Sequence, residues 1–267
     1  MPDTSELDGL RIWRYMDLTK FVSLLTSRTL FFACPSQFDD QYEGYLPRSH
    51  AKAWSEITQR LADDMLALRR RFAAKSSASL AKFDETMETF RKRVRGVQGE
   101  AASRFGVSCW HISEHESDAM WKLYSASGRG IAIESTVGSL RASLGDRKDL
   151  QIDAVRYMDF DRDPIEKGHR HYSLFLKRKC FVHENELRAT ILLPQEGIGA
   201  AVVCDLDILV SRIHVSPLVE SYVKDAIEML CRGTTQPLHK PVVRSTILLP
   251  PDYGIEIELD PKHAAPA

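Results

Sequence analysis

Across residues 48–104 the apolar positions advance in steps of three and four, and that period commits the stretch to helix. Trp54, Ile57, Leu61, Met65, Leu68 and Phe72 make one stripe, and Leu80, Phe83, Met87, Phe90, Val94 and Val97 make a second. Ser76-Ser77-Ala78-Ser79 lies between them, so the spacing predicts two long antiparallel helices joined by a serine-rich turn. The pair is basic, with 13 Lys and Arg against 7 Asp and Glu, a net charge of +6. The whole chain has 36 Lys and Arg against 37 Asp and Glu, so everything outside residues 48–104 sums to −7. Near-neutrality is therefore a cancellation between a basic arm and an acidic body. For 267 residues this predicts one α+β domain spanning 1–267 with the hairpin 48–104 inserted in it, not two independent domains.

Outside the hairpin, strand and helix signals are mixed. Residues 10–15 read as a strand with Ile12 and Arg14 on one face and Trp13 and Tyr15 on the other. Asp17 is placed to N-cap a helix in which Leu18, Phe21, Val22 and Leu25 share one stripe. Residues 30–34 form a buried strand stopped by Pro35, and 107–112 another strand. Ser113-Glu114-His115-Glu116 fits the S-x-x-E capping box and predicts a helix running through Met120, Trp121 and Tyr124 towards Gly128. Further strands are expected at 130–134, 155–157, 202–205, 212–215 and 242–247, helices at 164–179 and 217–232, and a frayed tail at 261–267. No steady βαβ repeat emerges, so the expected architecture is a mixed or antiparallel sheet core with flanking helices.

Composition excludes some classes. With 43% apolar and 27% charged residues the chain is globular, not disordered. No apolar run approaches the roughly 18–20 residues that cross a bilayer, and the start Met1-Pro2-Asp3-Thr4-Ser5-Glu6 lacks the pattern of a signal peptide. Five cysteines with no C-x-x-C pair read as reduced core thiols. A cytoplasmic protein with no membrane partner is the expectation.

Phosphate-cradling and nucleophile-elbow motifs are absent: there is no G-x-x-x-x-G-K-[ST], G-x-G-x-x-G or G-x-S-x-G. His111-Ile112-Ser113-Glu114-His115 matches H-x-x-E-H, but zinc would need both histidines one turn apart on a single helix, and His111 sits in a strand-like run. His169 and His171 are as weak a pair, so no metal is expected. The run 182–190 is more informative. As a strand it puts Val182, Glu184, Glu186, Arg188 and Thr190 on one face, and a charged row of that kind is either a solvated edge or the wall of a polar cleft. Two neighbouring carboxylates repel and raise one pKa, an effect that Arg188 opposes. Trp13, Tyr15, Trp110, Trp121 and Tyr124 belong by default to the core; any that line a cleft would stack on a flat ring. Arg14 could then clamp a phosphate or carboxylate.

Trp13-Arg14-Tyr15-Met16-Asp17, then the run from Leu30-Phe31-Phe32 to Tyr42-Glu43-Gly44, resemble the start of the bacterial domain of unknown function 2971 family. Val107-Ser108-Cys109-Trp110, Met120-Trp121-Lys122-Leu123-Tyr124, Gly130-Ile131-Ala132-Ile133 and Glu184-Asn185-Glu186-Leu187-Arg188 resemble its later blocks. Ile213-His214-Val215-Ser216-Pro217 and Val243-Arg244-Ser245 match its close, so the likeness covers about 11–247 except the hairpin. It departs at Asp39-Asp40-Gln41, where Asn-Asp-Pro is usual, and His111 is not a family position. The family's activity is not established.

The order Arg14, Ser108, Glu184-x-Glu186 is also similar to the R…S…E-x-E layout of ADP-ribosyltransferases. That likeness implies NAD as co-substrate, with Arg14 on a phosphate, Ser108 ordering the site, and Trp110 or Tyr124 stacked on the nicotinamide; Tyr15 flanks the same site. Glu186 would stabilise the ribosyl oxocarbenium ion and Glu184 would position a macromolecular acceptor. A toxin-like or phage-defence effector is the biological setting it implies. Two other readings compete. In one, the basic hairpin binds nucleic acid or protein through Arg69-Arg70-Arg71 and Arg91-Lys92-Arg93 with Arg95. In the other, Asp40, Glu43, Glu184 and Glu186 gather Mg²⁺ for a nuclease or hydrolase.

Overall fold

The computed structural model describes residues 4–73, 76–124, 130–164 and 172–250; the side chains at 4–5, 50–58, 61–62, 71 and 90–100 are outside that description. Gly128, His169, His171, the 165–171 part of the expected helix and the 261–267 tail also lie outside the described residues. Strand β1 (Arg11–Asp17) leads into helix α1 (Leu18–Ser27), capped by Asp17, whose carboxylate accepts the Lys20 N–H at 2.8 Å. After β2 (Thr29–Ala33) come α2 (Arg48–Ala73) and α3 (Ser77–Arg104), the basic hairpin, with Ser76 capping α3. Beside the turn Phe72 stacks on Phe83, and Arg69 grips Asp84 through bonds of 2.6 and 2.7 Å, so the helices run side by side there.

Strand β3 (Phe105–Ile112), helix α4 (Asp118–Tyr124), β4 (Gly130–Thr136), α5 (Val137–Ser143) and β5 (Gln151–Ala154) follow. Strands β6 (Arg156–Met158) and β7 (Leu176–Arg178) pair as a separate parallel ribbon. The described chain closes with β8 (Glu186–Leu192), β9 (Gly199–Val203), α6 (Leu206–Leu209), β10 (Arg212–Val215), α7 (Ser221–Gly233) and β11 (Val242–Arg244). Nine strands make one mixed sheet, mostly antiparallel, in the order β11-β10-β4-β1-β3-β2-β9, with β8 on β3 and β5 on β8. The fold is α+β, as the sequence predicts.

Two features of this sheet position everything else. The first is a fork. β3 gives one whole edge to β8, so β1 and β2 must share the other, β1 through Trp13↔His111 and β2 through Ala33↔Val107. The second is the contrast between the faces. Cross-strand partners share a face, so Ile12, Ile131, Ile133, Ile213, Val215, Trp110, Leu187 and Ile152 lie together under α1, α5, α6 and α7. The opposite face carries Trp13, Tyr15, Glu134, His214, His111, Cys109, Glu186 and Arg188. One side is an aliphatic core; the other buries charge.

Several local expectations give way to tertiary contacts. Ser113 does not cap α4. Its hydroxyl accepts the His115 N–H, the helix starts at Asp118 behind Ser117, and Glu116 is taken by the Trp121 indole N–H at 2.9 Å. Residues expected to end the 164–179 helix form a 3-10 turn, Tyr172–Phe175, and then β7, because Lys177 is drawn into a cluster of acids. The charged run 182–190 is a strand only from Glu186. Before it lies a 3-10 turn, Lys179–Glu184, ended by Asn185 in the left-handed region at φ 37°. Strand β5 is not among the strands expected from the sequence, and of the five cysteines Cys180 is exposed and not a core thiol, because it lies in the 3-10 turn before β8.

Candidate functional site

Asn185 determines how the two glutamates arrive. It accepts the Ile112 N–H at 2.8 Å through its carbonyl and donates from its side-chain amide to Ile112 O at 2.7 Å. That tether to β3 lets Glu184 enter from the turn while Glu186 enters from the strand. They meet at Lys177 Nζ, 2.6 Å from Glu184 Oε2 and 3.1 Å from Glu186 Oε2, with Glu43 Oε1 at 3.3 Å. Glu43 comes from the loop before the hairpin. Arg188 closes the group from below. It grips Glu186 through Nε and Nη2, both at 3.0 Å, donates to Glu43 Oε1 at 2.9 Å, and gives Nη1 to Leu174 O at 2.6 Å. Glu43 Oε2 sits 2.7 Å from Nη1 as an ion pair outside hydrogen-bond direction.

Arg188 is 0% exposed and Glu186 4%, so the charged row is not a solvated edge. Three carboxylates meet two cations here, which leaves one negative charge in excess. Burial would raise the Glu186 carboxyl, but Arg188 and Lys177 outweigh it and hold the group at about 2. Burial would lower Lys177 and Arg188, yet the carboxylates around them push both above their ordinary values. The excess is felt by neighbouring groups. Burial, with Glu186 adding to it, pushes Tyr157 up to about 12, and burial followed by the charge of Glu184 raises Tyr124. The Cys109 thiol is raised by burial and by Glu186.

The residues expected from the ADP-ribosyltransferase-like layout divide between the two faces. Their strands are neighbours, β1 beside β3 beside β8. Arg14, Ser108 and Trp110 come together on the aliphatic face, however, while Glu184 and Glu186 occupy the charged one. Arg14 fills the fork, bonded to Ser108 Oγ and, at 3.3 Å, to Phe31 O, with its guanidinium 5.7 Å from the Trp110 ring centre. Trp110, 2% exposed, donates its indole N–H to Ser108 and is core, not a stacking platform. Tyr15 shares the face of Glu186 but is 7% exposed, packed with Trp13, Met120 and Trp121, its hydroxyl accepting the Ser117 N–H. Tyr124, 44% exposed, is the open ring of the set. The single cleft expected around all of them is therefore replaced by two separate sites.

For the metal reading, Asp40 is held by Arg178 at 2.8 Å, while Glu43, Glu184 and Glu186 do converge. The Lys177 ammonium stands where they meet. Among the described residues no group of three His, Cys, Asp or Glu is arranged to hold a metal ion. His111 lies in β3 with Nδ1 2.6 Å from Glu184 O, and His115 lies in the loop beyond it. A second buried group escaped sequence reasoning altogether. His214 sits between Glu134 (3.0 Å) and Glu116 (3.3 Å), edge-on to Trp13 at 4.8 Å. No spacing signal links three residues from two strands and a loop.

No described helix is long and apolar enough to cross a membrane. In comparisons with protein-family models, curated proteins and solved structures, no match to this chain was found.

Proposed function

We propose that the protein is an ADP-ribosyltransferase-like enzyme that takes ADP-ribose from NAD to a macromolecular acceptor, with Glu186 and Glu184 as its working carboxylates. The observation that carries this reading is the charge imbalance at Lys177 and Arg188, where three carboxylates face two cations. A water-poor site with one negative charge in excess is complementary to a cation. NAD presents one twice, as its nicotinamide ring and then as the ribosyl oxocarbenium ion that forms when the glycosidic C–N bond breaks.

Glu186 is ionised down to about pH 2, so it acts as a fixed charge and not as a proton donor. In this reading it faces the oxocarbenium centre, Glu184 orients the acceptor, and Tyr124 offers its open ring to the nicotinamide. Nicotinamide leaves with the bonding electron pair, the acceptor's nucleophile bonds to the ribose C1′, and its proton passes to solvent. Arg14 and Ser108 brace the fork from the opposite face instead of clamping a phosphate.

Incubation with phosphorus-labelled NAD and bacterial lysate tests the proposal. Wild type transfers label, Glu186→Gln loses about 100-fold or more, and Arg14→Lys stays active while lowering the melting temperature. Absence of transfer together with absence of nicotinamide release would overturn it, as would full activity in a folded Glu186→Gln variant.

A further inference from the structure

Between the foot of the basic hairpin and the β6–β7 ribbon lies a cavity of about 270 Å³. Tyr42, half exposed, meets Phe160 edge to face at 6.0 Å, and Arg178 lies over the Tyr42 ring at 4.4 Å, tied there by Asp40. Arg48, the first residue of α2, and Lys179 carry mostly exposed side chains at the mouth; Arg48 is 3.7 Å from Asp161 and Lys179 2.8 Å from Asp163. Asp159 is the remaining acid of the lining. This is not a second view of the Glu186 site. Tyr157 and Lys177 point from the ribbon towards Glu186, whereas Met158 and Arg178, one residue on, alternate to the other side and line the cavity.

We propose that the cavity seats one unpaired base of a single-stranded nucleic acid, with the flanking phosphates on Arg48 and Lys179 and the strand continuing along the hairpin. A half-exposed ring backed by a guanidinium is a stacking platform that tolerates any base. The volume lies below the usual range for drug-sized ligands and suits one ring, not a dinucleotide. Ion pairs with such exposed heads are weak, so phosphate can displace the carboxylates at little cost. Arg48 also joins the mouth to the hairpin, whose residues 48–104 carry a net charge of +6, a field that draws a polyanion. An acidic peptide would share that field but would have nothing flat to place on Tyr42. The site goes beyond the NAD reading and stands without it.

Fluorescence anisotropy with a labelled oligothymidylate of about 12 nucleotides is the test. Wild type binds with affinity that falls steeply between about 50 and 200 mM salt. Tyr42→Leu weakens binding about 10-fold with the salt slope unchanged, and Arg48→Ala with Lys179→Ala lowers the slope by about 2. All three side chains are exposed, so melting temperatures should match wild type, and nicotinamide release, if present, should persist in Tyr42→Leu. The proposal fails if wild type does not bind at low salt, if Tyr42→Leu binds like wild type, or if an oligoglutamate of equal length competes equally well.

Discussion

Arg188 and its two glutamates are the residues on which the charged face depends. A guanidinium buried to 0% exposure is tolerated because Glu186, Glu43 and the Leu174 carbonyl take its donors. Arg188→Met leaves Lys177 alone to face the carboxylates of Glu43, Glu184 and Glu186, and should cost about 3–5 kcal/mol in urea unfolding. Adding Glu43→Leu should recover part of that loss, since it removes one of three carboxylates left facing a single ammonium. Acid sensitivity follows from the same cluster. The Glu186 carboxyl is held at about 2 when folded, below the roughly 4.3 of an unfolded glutamate. Its contribution is complete above that unfolded value and is lost as pH falls towards 2. The melting temperature of wild type should drop between about pH 4.5 and 2.5, and Glu186→Gln should flatten that dependence. Glu184, Glu186 and Arg188 were legible as a charged row, and Glu43 as one acid among several. Lys177 was not, because nothing local marks a lysine whose three partners come from a loop, a turn and another strand.

At the scale of elements, periodicity served where one face met one core. The stripe of α1, the Asp17 cap and the alternation of β1 follow from single-face burial. It failed where polar tertiary partners competed with local rules, as with the capping box at Ser113 and the helix expected through Lys177. A further element-level constraint is Gly44. Its φ of +76° and its approach to α3, where an added Cβ would stand 3.0 Å from Ala102 Cα, fix the loop that delivers Glu43. Gly44→Ala should therefore destabilise the protein by about 1–3 kcal/mol. It should also loosen Glu43, seen as faster exchange of the Glu43 amide, which donates to Asp40 O.

At the scale of the whole molecule, the sheet explains why a sequence layout in the right order need not be a site. Order along the chain placed the Arg14, Ser108 and Glu186 strands side by side, but the period of two put their side chains on opposite faces. The register that decides this comes from Trp13↔His111↔Glu186 and has no signature in the sequence. The hairpin, by contrast, was legible from its charge and period. Its described contacts with the body lie at its feet, where Ser49 bonds Phe160 O and Ala101 packs on Phe105 and Leu174. Replacing residues 54–96 with a short Gly-Ser linker should leave the sheet folded, with the urea midpoint little changed, because closing a shorter loop costs less entropy. Collapse of the whole protein would show instead that the hairpin is integral to the core.

We propose that the negative excess around Glu186 meets a positive charge formed on NAD. Release of free nicotinamide from NAD by the purified protein tests it most directly, compared with a Glu186→Gln variant of verified fold. Wild type should release nicotinamide, and the variant should lose about 100-fold or more of that activity. Equal release by both, or none by wild type, would contradict it.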